Sequence, residues 1–307
     1  MDGEPLILVS DFGLCKKLEN GQSSLGATTA HNAGTAGWRA PELLHDDDAS
    51  TGPMLVDASS THSGTASSSQ QQGENRRRVT RSIDIFSLGI VFFYVLTQGS
   101  HPFDCGGSFM REVNIRKGTY SLDRLEVLGE YQREATHLIE KMISANPKER
   151  PKTKDILVHP FFWSAEKRLT FLCDVSDAFE REPRDPPSLA LQALEEGAHE
   201  VIPNGDFLSR LHKDFVNSLG KQRKYTGSRL LDLLRALRNK KNHFRDMPEA
   251  LQEKIIGHRA MEEGYLLYWT TRFPDLLLYC WNVVRHEDVG YGEDIQLRKY
   301  YQLRRPE

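Results

Sequence analysis

The stretch KYTGSRLLDLLRALRNKKNHF, residues Lys224 to Phe244, combines the apolar spacing of a buried helix with side chains that bind phosphates and transfer protons. Its leucines recur at helical spacing and form one apolar stripe: Leu230, Leu231, Leu233, Leu234 and Leu237. Polar residues share a different face at three- and four-residue spacing: Arg235, Arg238, Asn239 and Asn242. The pattern predicts a helix from about Ser228 whose polar face is either a basic surface or a catalytic site.

Helical periodicity extends over most of the chain from Ile83 onward. The predicted helices are Asp84 to Thr97, Arg133 to Ala145, Thr153 to Leu157, Arg168 to Glu182, Ser188 to Glu196, Asp206 to Ser218, Ser228 to Lys240, Pro248 to Ile256 and Met261 to Phe273. Many begin near Asp, Ser, Thr or Pro, which favour helix amino termini. Strand signals are confined to the first ten residues. The sequence therefore predicts a mainly α fold.

Bulk properties limit the classes of function. The chain has 307 residues, a net charge of −3 and a pI near 6.4, which argues against a wholly nucleic-acid-coating protein and leaves room for a local basic patch. Its four widely spaced cysteines fit reduced thiols better than a disulfide framework or a zinc site. The best apolar run, residues 85–99, is shorter than the ~20 residues that a membrane span needs, so no membrane contact is expected from this chain itself.

Composition changes sharply between residues 45 and 80, which are rich in Ser, Thr, Asp, Gln and Gly. Such a segment cannot bury enough apolar surface to offset its chain entropy, so we predict a disordered insertion. Short motifs occur around it in a fixed order: SDFGL, GTAGWRAPELL, SIDIFSLGIVFFYVL, GSHPF, NPKERP and HPFF. Over roughly residues 5 to 163, this ordered series resembles the carboxyl-terminal part of a protein kinase large lobe.

The kinase resemblance implies roles for the matching positions. Asp11 would ligate Mg²⁺ on the phosphates of ATP or ADP, Phe12 would set the state of the following loop, and Gly13 would allow the turn. The loop hydroxyls are candidate phosphorylation sites or ordinary loop residues: Ser23, Ser24, Thr28 and Thr29. The resemblance also assigns structural roles: Glu42 would pair with Arg150, and Asp84 would bond the catalytic loop.

Several kinase parts that precede the Asp-Phe-Gly motif in that family do not occur in this sequence. These are the Gly-rich loop, the strand lysine and the His-Arg-Asp loop. Kinase activity is therefore not expected from this chain alone, and the large-lobe part is expected to be truncated before its activation segment, as in a fragment or an incomplete gene model.

Cleavage of RNA without a metal needs a base for the 2′-hydroxyl, an acid for the leaving oxygen, and donors for the charged phosphorane. Histidine as a residue type titrates near neutrality, so His243 suits the acid, while Arg238 and Asn239 suit the phosphate. A free tyrosine, with a pKa near ~10, is a poor base unless neighbouring cations favour its phenolate. Flanking cations would attract RNA: Lys224, Arg235, Lys240 and Lys241. By spacing alone, a solvated basic face is the commoner interpretation of such a helix.

The surrounding sequence favours a catalytic helix over a solvated basic face. A kinase large lobe that continues through HPFFWSAEKRLTFLCDVSDAFE into a helical extension with RKYTGSRLLDLLRALRNKKNHFRDMP resembles the unfolded-protein-response sensor kinase/endoribonucleases, the inositol-requiring type. The resemblance implies a kinase part over 1–163 and an all-helical kinase-extension nuclease domain over 164–307. Tyr225 and His243 would be the general base and acid, and Arg238 and Asn239 would bind the scissile phosphate.

In that family the nuclease needs no cofactor, cuts stem-loop mRNA to 2′,3′-cyclic phosphate and 5′-hydroxyl ends, and starts a non-conventional splicing reaction. It acts as a homodimer or higher oligomer on the cytosolic or nucleoplasmic face of the endoplasmic reticulum membrane, and ATP or ADP with Mg²⁺ serves the kinase part. Three alternatives stay open: a ribonuclease L-like enzyme, a non-cleaving pseudokinase scaffold that binds RNA, and an ordinary Ser/Thr kinase fragment.

Overall fold

The computed structural model describes residues 24–25, 35–44, 79–220, 224–286 and 295–303. Several features predicted above lie outside these residues. They are the strand in the first ten residues, the insertion up to residue 78, and the sites Asp11, Phe12, Gly13, Ser23, Thr28 and Thr29.

The described residues form a mainly α structure, which confirms the predicted fold class. The helices are α1 (Ser82–Leu96), α2 (Arg111–Lys117), α3 (Gln132–Met142), α4 (Thr153–Leu157), α5 (Ala165–Glu180), α6 (Leu189–Glu196), α7 (Ala198–Val201), α8 (Lys213–Ser218), α9 (Leu230–Asn242), α10 (Glu249–Ile256), α11 (Met261–Thr270), α12 (Leu276–Arg285) and α13 (Ile295–Arg298). Two short strands, β1 (Ser24–Leu25) and β2 (Val79–Thr80), pair antiparallel with Ser24 opposite Thr80. In the described ranges, no helix is both long and apolar enough to span a bilayer.

One predicted helix begins later than its sequence pattern indicates. Asp206 to Leu211 contain only a short 3-10 turn, and α8 starts at Lys213. The Asp206 carboxylate accepts a hydrogen bond from the Leu208 N–H at 3.0 Å, so the local side chain competes with helical pairing. His212 then caps α8, because its Nδ1 accepts from the Asp214 N–H at 3.2 Å. The prediction of a helix from Asp206 is therefore wrong over its first half.

The chain divides into two compact units, Met1–Arg124 with Ile139–Pro151, and Leu125–Leu138 with Lys152–Glu307. The core of the first unit forms around α1, whose Phe86, Ile90 and Phe93 are buried. A Cβ atom on Gly89 would lie only 2.8 Å from the Met142 side chain, so glycine permits close packing of α1 against Met142 at the end of α3.

A buried arginine joins three segments of the first unit. The Arg150 side chain is 0% exposed and binds both carboxylate oxygens of Glu42, at 2.7 and 2.8 Å. It also donates to the carbonyl oxygens of Ser82 and Ser144, at 3.0 and 2.8 Å. These bonds compensate the cost of burying the charge. Asp84, the other residue with a predicted structural role, lies in the first turn of α1, where a carboxylate complements the helix dipole.

The core of the second unit is built around α5. This helix packs most extensively against α9 and also contacts α11, α12 and α13. The leucine stripe of α9 is buried, with Leu230, Leu233, Leu234 and Leu237 all 0% exposed. Each buried leucine contributes on the order of 1.5–3 kcal/mol relative to an exposed one. The stripe therefore fixes which face of α9 points away from the core.

A close backbone approach positions α6 in the same unit. The Tyr279 hydroxyl accepts a hydrogen bond from the Gly197 N–H at 2.8 Å and lies 3.0 Å from the carbonyl oxygen of Ala193. A Cβ atom on Gly197 would sit 2.1 Å from the Tyr279 ring, so only glycine fits there. α12 thereby holds the carboxyl end of α6, the helix that carries Glu195.

Candidate active site

The amino end of α9 is capped by a residue from a different helix. Glu195 of α6 accepts the Leu230 N–H at 2.8 Å and the Leu231 N–H at 3.0 Å. These backbone groups belong to the first turn, which has no partners inside the helix, and a carboxylate there also complements the helix dipole. Arg229, at the N-cap position, contributes no side-chain cap. The start of α9 is thus set by a tertiary contact across 35 residues.

We predict that Glu195→Ala will lower the free energy of unfolding of the second unit by about 1–2 kcal/mol, the usual cost of losing a helix cap. Thermal or urea unfolding followed by far-UV circular dichroism would measure it. Glu196→Ala is the matched control, since Glu196 is the exposed neighbour on α6. Equal stabilities of the two variants would contradict the capping role.

The loop before α9 is held from two sides. The Asp232 carboxylate of α9 accepts the Thr226 N–H at 2.7 Å, and the Gly227 carbonyl accepts the Phe207 N–H at 2.9 Å. A Cβ atom on Gly227 would lie 1.9 Å from the Asp206 carboxylate, so a larger residue there would have to displace that carboxylate from its bond to the Leu208 N–H. Tyr225 directly precedes Thr226, so these two hydrogen bonds fix the backbone next to Tyr225.

Tyr225 and Asn239 meet at the polar face of α9. The Asn239 side-chain amide donates to the Tyr225 hydroxyl oxygen at 3.0 Å, across 14 residues of sequence. The Arg235 guanidinium lies 5.8 Å from the centre of the Tyr225 ring, within cation–π range. Asn239 and Arg235 therefore hold the Tyr225 side chain on the polar face of α9, with its hydroxyl beside the Asn239 amide.

Arg238 and Arg235 both bind carboxylates of α5. Arg238 pairs with Asp177, and Arg235 pairs with Glu180 at 2.8 Å. The acids are three residues apart on α5 and the arginines are three residues apart on α9. The two ion pairs therefore lie side by side between these helices. Arg235 has a further partner in Asp232 of its own helix, at 2.6 Å.

These pairs fix the guanidinium groups while leaving donors available. The Arg238 side chain is 16% exposed and binds Asp177 through Nη1, while its Nη2 has no partner in the described part of the chain and is not fully buried. A rigid guanidinium with unused donors is suited to hold a phosphate oxygen.

His243 follows directly after the last residue of α9. Its backbone N–H donates to the Asn239 carbonyl at 3.1 Å, which ties it to the end of the same helix. Its ring Nδ1 lies 2.8 Å from the Asp246 carboxylate, and its side chain is 68% exposed. Because a carboxylate accepts, Nδ1 carries a proton, and Nε2 is the nitrogen available for proton exchange with a substrate.

The remaining predicted RNA-binding cations lie at both ends of α9. Lys224 is exposed in the preceding loop, and Lys240 and Lys241 occupy the last turn. Partial burial lowers the pKa of the Lys240 ammonium, while the charge of Asp246 acts in the opposite direction. In the described part of the chain, no group of three or more His, Cys, Asp or Glu side chains is arranged to hold a metal ion.

The four predicted catalytic residues therefore occupy one stretch of the molecule: the loop before α9, its last two turns and its carboxyl cap. Two supporting acids, Asp177 and Glu195, were missed by sequence reasoning. Asp177 had a usable signal, since it shares a helical face with Glu180 at three-residue spacing on a predicted helix. Glu195 had none, because its partners are backbone groups of a distant helix.

Comparison with protein-family models identifies both parts of the chain. Residues 168–301 match the family model Ribonuclease 2-5A. Residues 74–162 match the protein kinase domain. A partial kinase domain is therefore followed by a domain of the ribonuclease 2-5A type, which is mainly helical in its described residues, as the ordered motifs indicated.

Comparison with curated proteins identifies relatives that are much longer than this chain. A serine/threonine-protein kinase/endoribonuclease IRE1 of Hypocrea jecorina is 59% identical over 98% of this chain and 24% of its own length. A kinase/endoribonuclease ireA of Aspergillus fumigatus is 54% identical over 91% of the chain and 25% of its own length. A protein of Schizosaccharomyces pombe named sensor for unfolded proteins in the ER ire1 is 44% identical over 95% of the chain and 25% of its own length. The chain spans about a quarter of the length of these relatives.

Proposed function

The chain belongs to the serine/threonine-protein kinase/endoribonuclease family, and from this premise we propose that its carboxyl-terminal part, residues 164–307, cleaves RNA. Residues 1–163 would be the attached part of the kinase domain. The contact between Tyr225 and Asn239, at 3.0 Å, carries the proposal. In this contact the residue that we propose as the base lies beside the amide that we propose binds the phosphate, with Arg238 adjacent in sequence and His243 at the end of the same helix.

The proposed reaction is an internal transesterification. Tyr225, as phenolate, takes the proton of a ribose 2′-hydroxyl, and the 2′-oxygen then attacks the adjacent phosphorus. His243 donates a proton from Nε2 to the departing 5′-oxygen, so that the P–O5′ bond breaks. Arg238 and Asn239 donate to the non-bridging oxygens, on which negative charge increases in the transition state. The products are a 2′,3′-cyclic phosphate and a 5′-hydroxyl, and no metal ion takes part.

The substrate would be a stem-loop mRNA, and the biological reaction its non-conventional splicing in the unfolded protein response. A hairpin loop presents unpaired bases, which are the parts of RNA that proteins can distinguish by sequence. Lys224, Lys240 and Lys241 would provide the electrostatic attraction. The naming of a relative as a sensor for unfolded proteins in the ER supports action at the endoplasmic reticulum. The active form would be a homodimer or higher oligomer, as the family resemblance implies.

The kinase match implies a nucleotide site for ATP or ADP with Mg²⁺ in proteins of this family. Here the corresponding residues would be Asp11, Phe12 and Gly13, which lie outside the described residues. We propose no phosphoryl-transfer step for this chain.

The test is cleavage of a labelled stem-loop RNA by the purified chain in EDTA, with the ends of both products determined. We expect cyclic phosphate and 5′-hydroxyl ends. Binding of the hairpin without cleavage, at protein concentrations that saturate binding, would contradict the proposal and favour an RNA-binding scaffold. Cleavage that stops in EDTA would contradict the metal-free chemistry.

A further inference from the structure

A cavity of about 280 Å³ opens beside the loop that carries Tyr225. Its floor includes Leu191 of α6 and Leu231 of α9, which are 7% and 5% exposed. Gln192, Arg184 and Arg229 are the polar groups at its exposed rim, and Arg184 pairs with Glu180 at 3.0 Å. We call this the α6–α9 cavity.

The α6–α9 cavity lies on the same side of α9 as the candidate active site. Its wall includes Asp232, and the positions 232, 235 and 239 follow one another at three- and four-residue spacing on one helical face. From Asp232 to Asn239 the rise along the helix is roughly 10 Å, at 1.5 Å per residue. A nucleic-acid strand with roughly 3.4 Å per stacked nucleotide covers this distance in about three nucleotides. A strand bound at Asn239 can therefore reach the cavity.

The carboxylates in the cavity wall already have partners. Glu195 accepts two backbone N–H groups of α9, and Asp232 accepts the Thr226 N–H and pairs with Arg235. All four of their oxygens therefore point to α9 or to the loop before it, and the N–H dipoles at the start of α9 offset part of the Glu195 charge. Arg229, in contrast, has no ion-pair partner among the residues that the structure describes. The free cation at the cavity mouth favours an anionic ligand.

The shape and lining of the cavity suit a nucleobase. Leu191 and Leu231 offer apolar surface for the flat face of a ring, as aromatic and aliphatic side chains do in single-strand binding sites. The Gln192 amide donates to the Pro187 carbonyl at 2.8 Å, which fixes its orientation and leaves its oxygen as an acceptor for a base edge. A volume slightly below the ~300 Å³ at which pockets for drug-sized ligands begin matches a single nucleotide better than a larger cofactor.

We propose that the α6–α9 cavity binds one unpaired nucleotide of the RNA, within about three nucleotides of the scissile phosphate. Its base lies against Leu191 and Leu231 with an edge at Gln192, and its phosphate pairs with Arg229. This inference rests on the proposed function, because it places a substrate subsite next to the proposed catalytic residues. The cavity would then select among the loop sequences that the catalytic residues cut.

The experiment is a set of hairpins, each with one abasic nucleotide at a position near the cut site. A 2′-deoxyribose at the cut site blocks cleavage, so that Kd is measured separately from chemistry. We expect an abasic residue at one position to weaken binding by wild-type protein about tenfold. In the double variant Gln192→Ala/Arg229→Ala, the same abasic residue should change Kd less than threefold, because the nucleotide has lost the edge contact and the phosphate contact that hold its base against the two leucines.

Two controls separate a lost subsite from a damaged fold. Arg259→Ala removes an exposed arginine of the loop between α10 and α11, and should leave the abasic penalty unchanged. Arg229→Lys keeps the charge at the cavity mouth and should retain most of the affinity. An abasic penalty that is the same in wild type and double variant at every position would overturn the inference. Binding that follows the expected pattern without cleavage of the ribose hairpins would instead overturn the proposed chemistry and keep the cavity as a nucleotide site.

Discussion

Replacing His243 with alanine is expected to reduce the rate of RNA cleavage by about 10²- to 10⁴-fold, the usual contribution of a general acid. The departing 5′-oxygen would then leave as an alkoxide, without the proton that Nε2 supplies. The structure supports this role through the 2.8 Å contact of Nδ1 with Asp246, which leaves Nε2 as the exchanging nitrogen. The measurement is a single-turnover rate on the stem-loop RNA at saturating protein.

A modified substrate separates the acid role from a binding role. With sulfur in place of the bridging 5′-oxygen, the leaving group needs no proton, so His243→Ala should cleave this substrate nearly as fast as wild type does. Tyr225→Phe should stay slow on it, because the base step is unchanged. His258→Ala is the matched control, since His258 is an exposed histidine of the loop after α10. A slow rate of His243→Ala on the sulfur substrate would assign the histidine to another role.

Glu42→Ala is expected to destabilise the first unit by about 3–5 kcal/mol, because it leaves the Arg150 charge buried without its partner. Arg150 is 0% exposed, and the bonds to Ser82 and Ser144 carbonyls do not replace a carboxylate. Urea unfolding monitored by tryptophan fluorescence would report the change, with Trp38 of the first unit as one of the probes.

Glu112→Ala is the matched control for the loss of stability in Glu42→Ala. Glu112 pairs with Arg39 at 3.1 Å and its side chain is 35% exposed, so its removal should cost less than about 1 kcal/mol. Replacing both members of the buried pair, Glu42→Leu with Arg150→Met, should cost less than Glu42→Ala alone, because no unpaired charge remains. A loss below about 1 kcal/mol for Glu42→Ala would mean that water reaches Arg150 in the folded protein.

The parts of the fold with a one-sided apolar pattern could be predicted from the sequence. α9 and α10 were predicted within about two residues at each end, since an amphipathic helix repeats its apolar positions at helical spacing. α12 was not predicted, although it has ten residues, because its first six residues are all apolar or aromatic and its exposed polar side chains, Asn282 and Arg285, come only in its second half. Periodicity is a weak signal over so short a stretch of mixed residues.

The candidate site also has a part that the sequence predicts and a part that it does not. Sequence spacing placed Arg238, Asn239 and His243 near one end of a helix, because three- and four-residue spacing is a local property. The hydrogen bond from Asn239 to Tyr225 depends on how the preceding loop returns to the helix. That path is fixed by the bond of Phe207 to Gly227 and by the close approach of Asp206, which are contacts between segments distant in sequence. No local pattern encodes such contacts.

The carboxylate partners of the two arginines have a consequence for ionic strength. Each lysine that neutralises an RNA phosphate releases a counterion from the strand, which makes the affinity fall more steeply as salt rises, by roughly 0.7 in the logarithmic slope for a single strand. The charges of Arg238 and Arg235 are already balanced by Asp177 and Glu180, so these arginines release few counterions when RNA binds. The salt slope should therefore count Lys224, Lys240, Lys241 and Arg229, which has no ion-pair partner among the described residues, but not Arg235 or Arg238. Asp177→Asn would leave the Arg238 charge unbalanced and make the slope steeper.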